Sequence, residues 1–213
     1  IIFQFSDAVF LDRQSGNSTF EKIRSRILLK YWKRLVTIAK ICLVDNDYSA
    51  SAVSKFCKNV EVITGPIDTE RYFFVNKKSH VQDKIVIGWI GSPFTTKYLR
   101  EIEAPLKEIS RKYPILLRLV GANKYFNMTN INYEVKDWSY DTELLWLQTF
   151  DIGIAPLIND EWVQGKASYK IFQYMSMGIP CVASAIGFHN ELLKDGYNGF
   201  LADSDSEWVK KIL

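Results

Sequence analysis

The chain has 213 residues, of which 47% are hydrophobic and 24% are charged, and its formal net charge is +3. These values are typical of a globular protein and exclude a disordered or fibrous chain. The sequence contains no apolar run near the ~20 residues of a membrane span. The small positive charge suits an anionic small molecule or membrane surface and argues against extensive nucleic-acid binding.

The first part of the chain alternates short apolar strands with helices. In chain order the pattern predicts strand Ile1–Phe5, helix Thr19–Ala39, strand Ile41–Val44, helix Tyr48–Phe56 and strand Val60–Ile63. Such alternation indicates a parallel sheet covered by helices. Because the sequence opens inside a strand-like run, we expect a piece of a longer protein whose first domain is incomplete.

The first predicted helix is strongly basic. The segment Glu21–Lys40 holds one acid, Glu21, and seven cations: Lys22, Arg24, Arg26, Lys30, Lys33, Arg34 and Lys40. A basic amphipathic helix can lie on anionic lipid, whereas a helix packed on a core with a solvated basic face has the same pattern. We predict weak, salt-sensitive membrane binding through the basic face rather than insertion, with Tyr31 and Trp32 at least partly packed against the sheet.

A polar stretch over 76–83 separates this region from a second alternating one, so we predict domains over residues 1–78 and 79–213. The second domain is predicted to hold, in order, strand Ile85–Ile90, helix Lys97–Tyr113, strands Ile115–Val120 and Ile131–Glu134, helix Thr142–Thr149, strand Ile152–Ala155, helix Ser168–Met177, strand Pro180–Ser184, helix His189–Leu193, strand Gly199–Ala202 and helix Ser204–Leu213. This is most of a doubly wound α/β domain.

Polar and cationic residues gather where one of these helices should begin. Gly165 loosens the loop, Lys166 adds a charge, and Ser168 is a candidate N-cap. Lys170 and Gln173 share one face of the helix that follows. Since a helix N-terminus carries free N–H groups and a partial positive charge, the two lysines beside it predict a diphosphate site.

The same segment resembles the donor-binding region of the GT-B glycosyltransferases of the family-4 type, the glycosyl transferases group 1. The family's tail is intact as Met175, Gly178, Pro180, Val182, Ala183 and Ser184. The two glutamates of the usual pattern are replaced by Gly165 and Gln173. A subgroup of the family matches at Asp160, Glu161, Trp162, Gly165, Lys166, Lys170, Gln173, Tyr174 and Met175, so Gln173 is expected to be native to that subgroup.

The resemblance implies a GT-B fold with two Rossmann-like doubly wound domains, the first incomplete. Residues 1–78 would be the end of the acceptor-side domain with the linker, and 79–213 the donor-side domain. The implied activity is transfer of a sugar, with retention, from a nucleotide sugar to a glycan or lipid-linked acceptor, in glycan or polysaccharide biosynthesis. No metal or other cofactor and no nucleic acid are expected, the location would be the cytoplasm or the inner membrane face, and the piece alone should be inactive.

The first strand–helix turn of the second domain is a further candidate phosphate site. Gly88 and Gly91 would let the backbone approach the donor, and Lys97 could neutralise a phosphate. Ser92 stands where the family has an arginine, so one cation is missing here and Lys166 or Lys170 is expected to compensate. The alternative is that the two glycines serve only strand–helix packing.

Further candidates follow other strands. Trp138 lies where the resembled family meets the base and is predicted to stack on it or to pack. Glu191 keeps a family glutamate, and His189 is interpreted as a surface or capping histidine. The adjacent Asp160 and Glu161 lack a spaced partner and are expected to be solvated or to order their loop.

The predicted catalytic residues are Lys97 and Lys170, which would stabilise the negative charge of the departing diphosphate, with Gln173 on the ribose hydroxyls. Two other functions stay open. Gly165, Gln173 and Ser92 are departures that a catalytically silent nucleotide-binding or interaction module would also show. A GT-B nucleotide-sugar epimerase would need acidic and histidine residues in a constellation that the sequence does not offer.

Overall fold

The computed structural model describes residues 1–11, 19–74 and 84–213. These residues form two compact units, one of Ile1–Pro66 with Asn159–Ala167 and one of Ile67–Ile158 with Ser168–Leu213. The predicted boundary between residues 78 and 79, with the polar stretch around it, lies outside the described residues. The division into domains 1–78 and 79–213 therefore stays a prediction.

The helices and strands follow the predicted order. They are β1 (Ile2–Gln4), α1 (Thr19–Ile38), β2 (Ile41–Val44), α2 (Asp47–Val53), β3 (Val60–Val62), β4 (Ile85–Ile90), a 3-10 helix (Thr96–Ile102), α3 (Glu103–Lys112), β5 (Ile115–Val120), β6 (Tyr133–Lys136), α4 (Glu143–Leu147), β7 (Ile152–Ala155), α5 (Glu161–Gln164), α6 (Tyr169–Ser176), β8 (Cys181–Ser184), α7 (His189–Leu192), β9 (Phe200–Ala202) and α8 (Asp205–Ile212). The agreement shows that apolar periodicity dominates local structure in this chain.

The first unit contains a three-stranded parallel sheet in the order β1-β2-β3. Its core gathers the inward side chains of β2 and the residues of α1 and α2 that face them, including Trp32, Val36, Cys42 and Val53. The α2 helix is capped by Asn46, whose side-chain oxygen accepts a 2.9 Å hydrogen bond from the Ser49 N–H. The alternation of buried and less buried residues along β2 fixes which face of the sheet meets the helices.

Helix α1 has two apolar faces. Trp32 and Val36 are buried in the core, but a second stripe is exposed, and it comprises Phe20, Ile23, Ile27, Leu28, Tyr31, Leu35 and Ile38. The prediction that Tyr31 packs against the sheet is therefore wrong, because Tyr31 is 63% exposed, whereas the prediction for Trp32 is confirmed. The helical period of 3.6 places these neighbours on different faces.

The second unit is built on a six-stranded parallel sheet in the order β6-β5-β4-β7-β8-β9. Side chains of β4 alternate between two buried clusters: Ile87 and Trp89 lie in one, Val86 and Ile90 in the other. Helices cover both faces, and this is why the central strands are continuous apolar runs in the sequence.

Three local predictions need correction. The single helix predicted over Lys97–Tyr113 is a 3-10 helix followed by α3, because Pro105 is compatible only with the first turn of a new α-helix. Strand β6 lies two residues later than predicted, since its register pairs Tyr133 with Leu117 of β5. The loop expected at Asp160 holds the short helix α5.

Candidate functional site

The strand order of the second unit places a topological switch point between β4 and β7. From β4 the sheet continues to β5 and β6, and from β7 it continues in the opposite direction to β8 and β9. Ligands of open α/β sheets bind at the carboxyl ends of the strands beside such a point. The candidate site of this unit is therefore the carboxyl edge of β4 and β7 with the turns that follow their neighbours.

Tyr174 of α6 fastens this helix to the switch point. Its ring lies against Gly153 of β7, where a β-carbon would come within 2.6 Å of Tyr174 Cδ2. Its hydroxyl accepts a hydrogen bond from the Ile90 N–H and donates one to the Ile154 carbonyl, each at 3.3 Å. Because the hydroxyl bridges the two strands of the switch point, it holds α6 against the sheet at this place.

The turn after β4 is tightly packed around Gly91. A β-carbon at Gly91 would lie 2.5 Å from the ring of Trp89, and one at Gly121, which follows β5, would lie 2.3 Å from the Gly91 carbonyl oxygen. The Gly91 N–H donates to the Val120 carbonyl at 3.0 Å. Gly121 also has a positive φ of 73°. Two strand ends thus approach each other closely, and only glycine fits at either position.

Gly88 lies in the middle of β4 and not at its end. It is paired with Arg118 of β5 and Gly153 of β7. A β-carbon there would come within 2.3 Å of three atoms of the Phe150 ring. The packing alternative considered for this glycine accounts for its surroundings, and donor binding by Gly88 stays a prediction.

Ser92 closes a turn that leads into the 3-10 helix. The Ser92 N–H donates to Thr95 Oγ1 at 3.1 Å, and Thr95 Oγ1 donates to the Ser92 carbonyl at 3.0 Å. Thr96 Oγ1 accepts from the Asn123 N–H at 2.9 Å, which joins this turn to the one after β5. Lys97 follows at the surface, with its ammonium 4.9 Å from the ring centre of Phe94.

Helix α6 places Lys170 and Gln173 at this edge. The Lys170 ammonium lies 4.6 Å from the ring centre of Trp89, the same indole that packs under Gly91. The candidate N-cap Ser168 occupies the cap position but has a positive φ of 56° and makes no capping hydrogen bond with its side chain. We call Gly91, Ser92, Lys97 and Lys170 the lysine edge.

Gln173 is buried and belongs to a polar cluster, the Glu143 network, formed by Arg71, Tyr72, Trp138, Glu143 and Gln173. Gln173 Nε2 donates to Tyr72 Oη at 3.2 Å, and the Tyr72 hydroxyl donates to Glu143 Oε1. Trp138 Nε1 donates to Glu143 Oε2 at 2.7 Å, and Arg71 Nη2 lies 3.2 Å from Oε1. The network links the predicted ribose residue to the predicted base residue.

Burial of the hydroxyl, followed by its hydrogen bond to Glu143, raises the pKa of Tyr72 to about 12. Tyr72 therefore keeps its proton at neutral pH and acts as the donor to the carboxylate. Trp138 remains 52% exposed although its indole nitrogen is bonded, so it stays accessible to a stacking partner.

The residues after β8 are placed differently from the expectation. His189 is buried, and its Nδ1 lies 2.9 Å from the Ser184 carbonyl oxygen, so it is not a surface histidine. Ser184 Oγ in turn accepts from the Leu157 N–H at 2.9 Å, which ties the ends of β7 and β8 together. Glu191 lies on the exposed side of the short helix α7.

Gly165 and Lys166 belong to the first unit and not to the unit that holds the other candidates. A β-carbon at Gly165 would lie 2.7 Å from Ala8 Cβ, and Asn46 Nδ2 donates to the Lys166 carbonyl at 3.2 Å. Asp160 orders this segment as expected, because its carboxylate accepts from the Val163 N–H at 2.7 Å and caps α5.

Five residues of the site were not predicted from the sequence: Trp89, Gly121, and Arg71, Tyr72 and Glu143 of the Glu143 network. The sequence contains a signal for Gly121, since a glycine directly after a predicted strand marks a close approach of the backbone at the carboxyl edge. Trp89 had none beyond its place in a strand. Tyr72 and Glu143 are 71 residues apart, and no local pattern could have paired them.

Within the described ranges, no group of three or more His, Cys, Asp or Glu side chains could hold a metal ion. The three cysteines, Cys42, Cys57 and Cys181, are free and buried. No helix among the residues that the structure describes is long and apolar enough to cross a membrane.

Comparison with known proteins gives one family and a set of solved structures with the same fold. The family described as "Glycosyl transferases group 1" matches residues 84–213, which is more than half of the chain. No curated protein sequence matches.

Solved structures share the fold at low identity. HepE from Anabaena in complex with UDP-glucose matches with a TM-score of 0.69 and 16% identity, over 98% of this chain and 60% of its own. The S. aureus TarM mutant bound to fondaparinux, alpha-GlcNAc-glycerol and UDP gives 0.68 and 15%, over 99% and 42%. WaaG, a glycosyltransferase involved in lipopolysaccharide biosynthesis, gives 0.68 and 13%, over 99% and 64%.

These matches confirm the predicted α/β class and GT-B fold. The chain spans between 42% and 64% of the length of the three structures.

Proposed function

The chain belongs to the glycosyl transferases group 1, and from this we propose that it carries the donor-binding part of an enzyme that transfers a sugar from a nucleotide sugar to an acceptor. The observation that carries the proposal is the placement of Lys170 and Gln173 on α6, whose Tyr174 bridges the two strands of the switch point. That crevice is where doubly wound sheets bind nucleotides.

Each residue of the lysine edge receives a role in this proposal. The ammonium groups of Lys97 and Lys170 bind the diphosphate, while the backbone around Gly91 and Ser92 approaches the phosphates or the sugar. As the bond from the sugar to the diphosphate breaks, negative charge grows on the leaving oxygen. The two ammonium groups stabilise that charge more than they stabilise the bound donor, and this difference accelerates the reaction.

The other end of the donor meets the Glu143 network. Gln173 binds the ribose hydroxyls, and the half-exposed Trp138 stacks on the base. The predictions of Lys166 as a further cation for the diphosphate, of Gly165 as a part of the same loop, and of Glu191 as a contact to the sugar are kept as proposals. Transfer proceeds with retention and without a metal ion.

UDP sugars are the first donors to test, because UDP or UDP-glucose is bound in two of the similar structures. The acceptor is proposed to be a glycan or a lipid-linked glycan, in polysaccharide or glycan biosynthesis. The similarity to a glycosyltransferase of lipopolysaccharide biosynthesis supports this class.

Calorimetric titration of the full-length protein with UDP and with UDP-glucose tests the proposal. We expect binding of both and slow release of glucose from UDP-glucose even without an acceptor. Binding without any turnover would favour the silent nucleotide-binding module, for which Ser92 and Gly165 are the supporting departures from the family pattern. The epimerase alternative gains nothing from His189, which is buried against a backbone carbonyl.

We further propose that the protein is cytoplasmic and contacts the inner membrane face through α1. The exposed stripe that includes Ile27 and Tyr31 would enter the headgroup region, and the exposed cations of this helix would bind anionic lipid at about 1 kcal/mol each. The stripe adds a shallow apolar component to the electrostatic contact that the sequence alone suggests.

Co-sedimentation with anionic and neutral vesicles tests the membrane contact. A Lys30→Glu, Lys33→Glu double variant should lose the salt-sensitive part of binding, and Ile27→Ser with Tyr31→Ser should lose the part that persists at high salt. Lys112→Glu, on the second unit, is the matched control and should bind as the wild type does. Absence of wild-type binding to anionic vesicles would disprove the contact.

A further inference from the structure

The Glu143 network contains a buried carboxylate whose two oxygens are both occupied. Oε1 accepts from the Tyr72 hydroxyl and pairs with Arg71 Nη2 at 3.2 Å, and Oε2 accepts from Trp138 Nε1 at 2.7 Å. Glu143 is only 4% exposed, so these partners replace the water that it leaves on folding. A carboxylate paired with a guanidinium accepts hydrogen bonds and donates none.

The charge of Glu143 fixes the direction of every proton in the chain of hydrogen bonds. Since the carboxylate only accepts, the single proton of the Tyr72 hydroxyl points to Glu143. The Tyr72 oxygen can then act only as an acceptor toward Gln173. Gln173 must therefore turn its NH₂ group, Nε2, to Tyr72, which it does at 3.2 Å, and its carbonyl oxygen lies at the other end of the amide.

We propose that Glu143 is a positioning residue for the nucleotide: acting through Tyr72, it orients the Gln173 amide so that Oε1 accepts hydrogen bonds from the ribose hydroxyls, and through Trp138 it holds the base-stacking ring. This inference rests on the proposed function, because it assumes that a nucleotide binds at this edge. Neither Glu143 nor Tyr72 needs to touch the ligand.

The inference explains why glutamine occupies position 173. A glutamate there would present a second carboxylate to a tyrosine whose only proton is already donated to Glu143. Two buried acceptors would then compete for one proton, and their negative charges would repel each other. Glutamine avoids the conflict because it supplies the missing donor and still offers one acceptor oxygen to the ribose.

The test uses the full-length protein, with UDP and 2′,3′-dideoxy-UDP as probes in calorimetric titration. The wild type should prefer UDP by about tenfold, the factor expected for a ribose hydrogen bond to an oriented acceptor. Glu143→Gln and Tyr72→Phe should each abolish most of this preference, because the side-chain amide of Gln173 can then rotate and exchange the positions of its oxygen and nitrogen. A purely structural role would weaken both probes equally and leave their ratio unchanged.

A second test exchanges the carboxylate and the amide between positions 143 and 173. Gln173→Glu alone should weaken UDP binding about tenfold, because one buried acceptor oxygen would be left without a hydrogen-bond donor. Adding Glu143→Gln to that variant should improve binding, since the amide introduced at position 143 can donate to Tyr72 while the tyrosine donates to the new carboxylate at position 173. Independent effects would make the double variant worse than Gln173→Glu.

Failure of the proposed function and failure of the positioning role would give different results. A wild type that binds neither UDP nor UDP-glucose would overturn the proposed function together with this inference. A wild type that binds UDP and prefers it to the dideoxy probe, but whose preference survives in folded Glu143→Gln and Tyr72→Phe, would overturn the positioning role alone. Thermal unfolding of each variant establishes that it is folded, and Tyr72→Phe keeps the test decisive if Glu143→Gln does not fold.

Discussion

The lysine edge and the Glu143 network lie at opposite ends of the same proposed ligand but are built in different ways. In the lysine edge the ammonium groups rest on aromatic rings, Lys170 on Trp89 and Lys97 on Phe94, and Lys97 lies at the surface. In the network the charge of Glu143 is buried and bonded on both oxygens. A surface cation can respond to the charge of a ligand, whereas a buried network supplies fixed geometry.

Because its charge is buried and paired, the Glu143 network should contribute to the stability of the fold, whereas the lysine edge should not. Glu143→Ala removes the partner of Arg71, Tyr72 and Trp138 at once and should lower the free energy of unfolding by about 3–5 kcal/mol. Urea denaturation measures this. Glu108→Ala breaks an exposed 2.8 Å pair with Lys112 and is the matched control, with an expected loss below about 1 kcal/mol. Similar losses in the two variants would contradict the contrast.

Lys170→Ala, in the lysine edge, should weaken ligand binding and leave folding stability nearly unchanged. The free energy of unfolding should change little, while UDP affinity should fall by about 10–100-fold, on the scale of a lost charge-assisted hydrogen bond. Calorimetric titration at two salt concentrations should show a weaker salt dependence in the variant. Lys112→Ala is the control that leaves UDP binding intact. Unchanged affinity in a folded Lys170→Ala protein would remove Lys170 from the site.

The network should also respond to alkaline pH. The pKa of Tyr72 is raised from 10.0 to about 12, so the folded state keeps a proton that the unfolded state releases. The stabilisation is complete below pH 10 and is lost as the pH rises through about 12. The advantage of wild type over Tyr72→Phe in urea denaturation should therefore shrink by about 2–3 kcal/mol across this window, since each unit of pKa difference is worth about 1.4 kcal/mol. A constant difference would show that Tyr72 does not titrate with folding.

The two helix starts near residue 165 provide the smallest effects, of opposite sign. Asp160→Ala removes a capping hydrogen bond of α5 and should cost about 1 kcal/mol. Ser168 caps α6 without a side-chain bond and with φ of 56°, so Ser168→Gly should stabilise the protein by about 0.5 kcal/mol. Thermal unfolding compares them. Destabilisation by Ser168→Gly would indicate that the Ser168 hydroxyl stabilises the folded protein although it makes no capping hydrogen bond.

Position 173 illustrates how far a sequence pattern reaches. From the pattern alone, glutamine and glutamate are interchangeable there, because either side chain accepts from a ribose hydroxyl. The donated hydrogen bond to Tyr72 changes this expectation, since only the amide satisfies both neighbours. The partner lies about a hundred residues away along the chain, and no local pattern carries that information.

The sequence by itself determined the alternation of strands and helices, the GT-B class and the start of α6, because these follow from apolar periodicity, from glycine and proline at helix ends, and from a dense local motif. Only the tertiary structure decided which polar groups meet. It brought Tyr72 and Glu143 to Gln173, gave α1 a second, exposed apolar face, and placed Phe150 against Gly88. Such contacts join segments distant in sequence, and their free energy depends on burial and on the direction of each hydrogen bond, which a linear pattern does not encode.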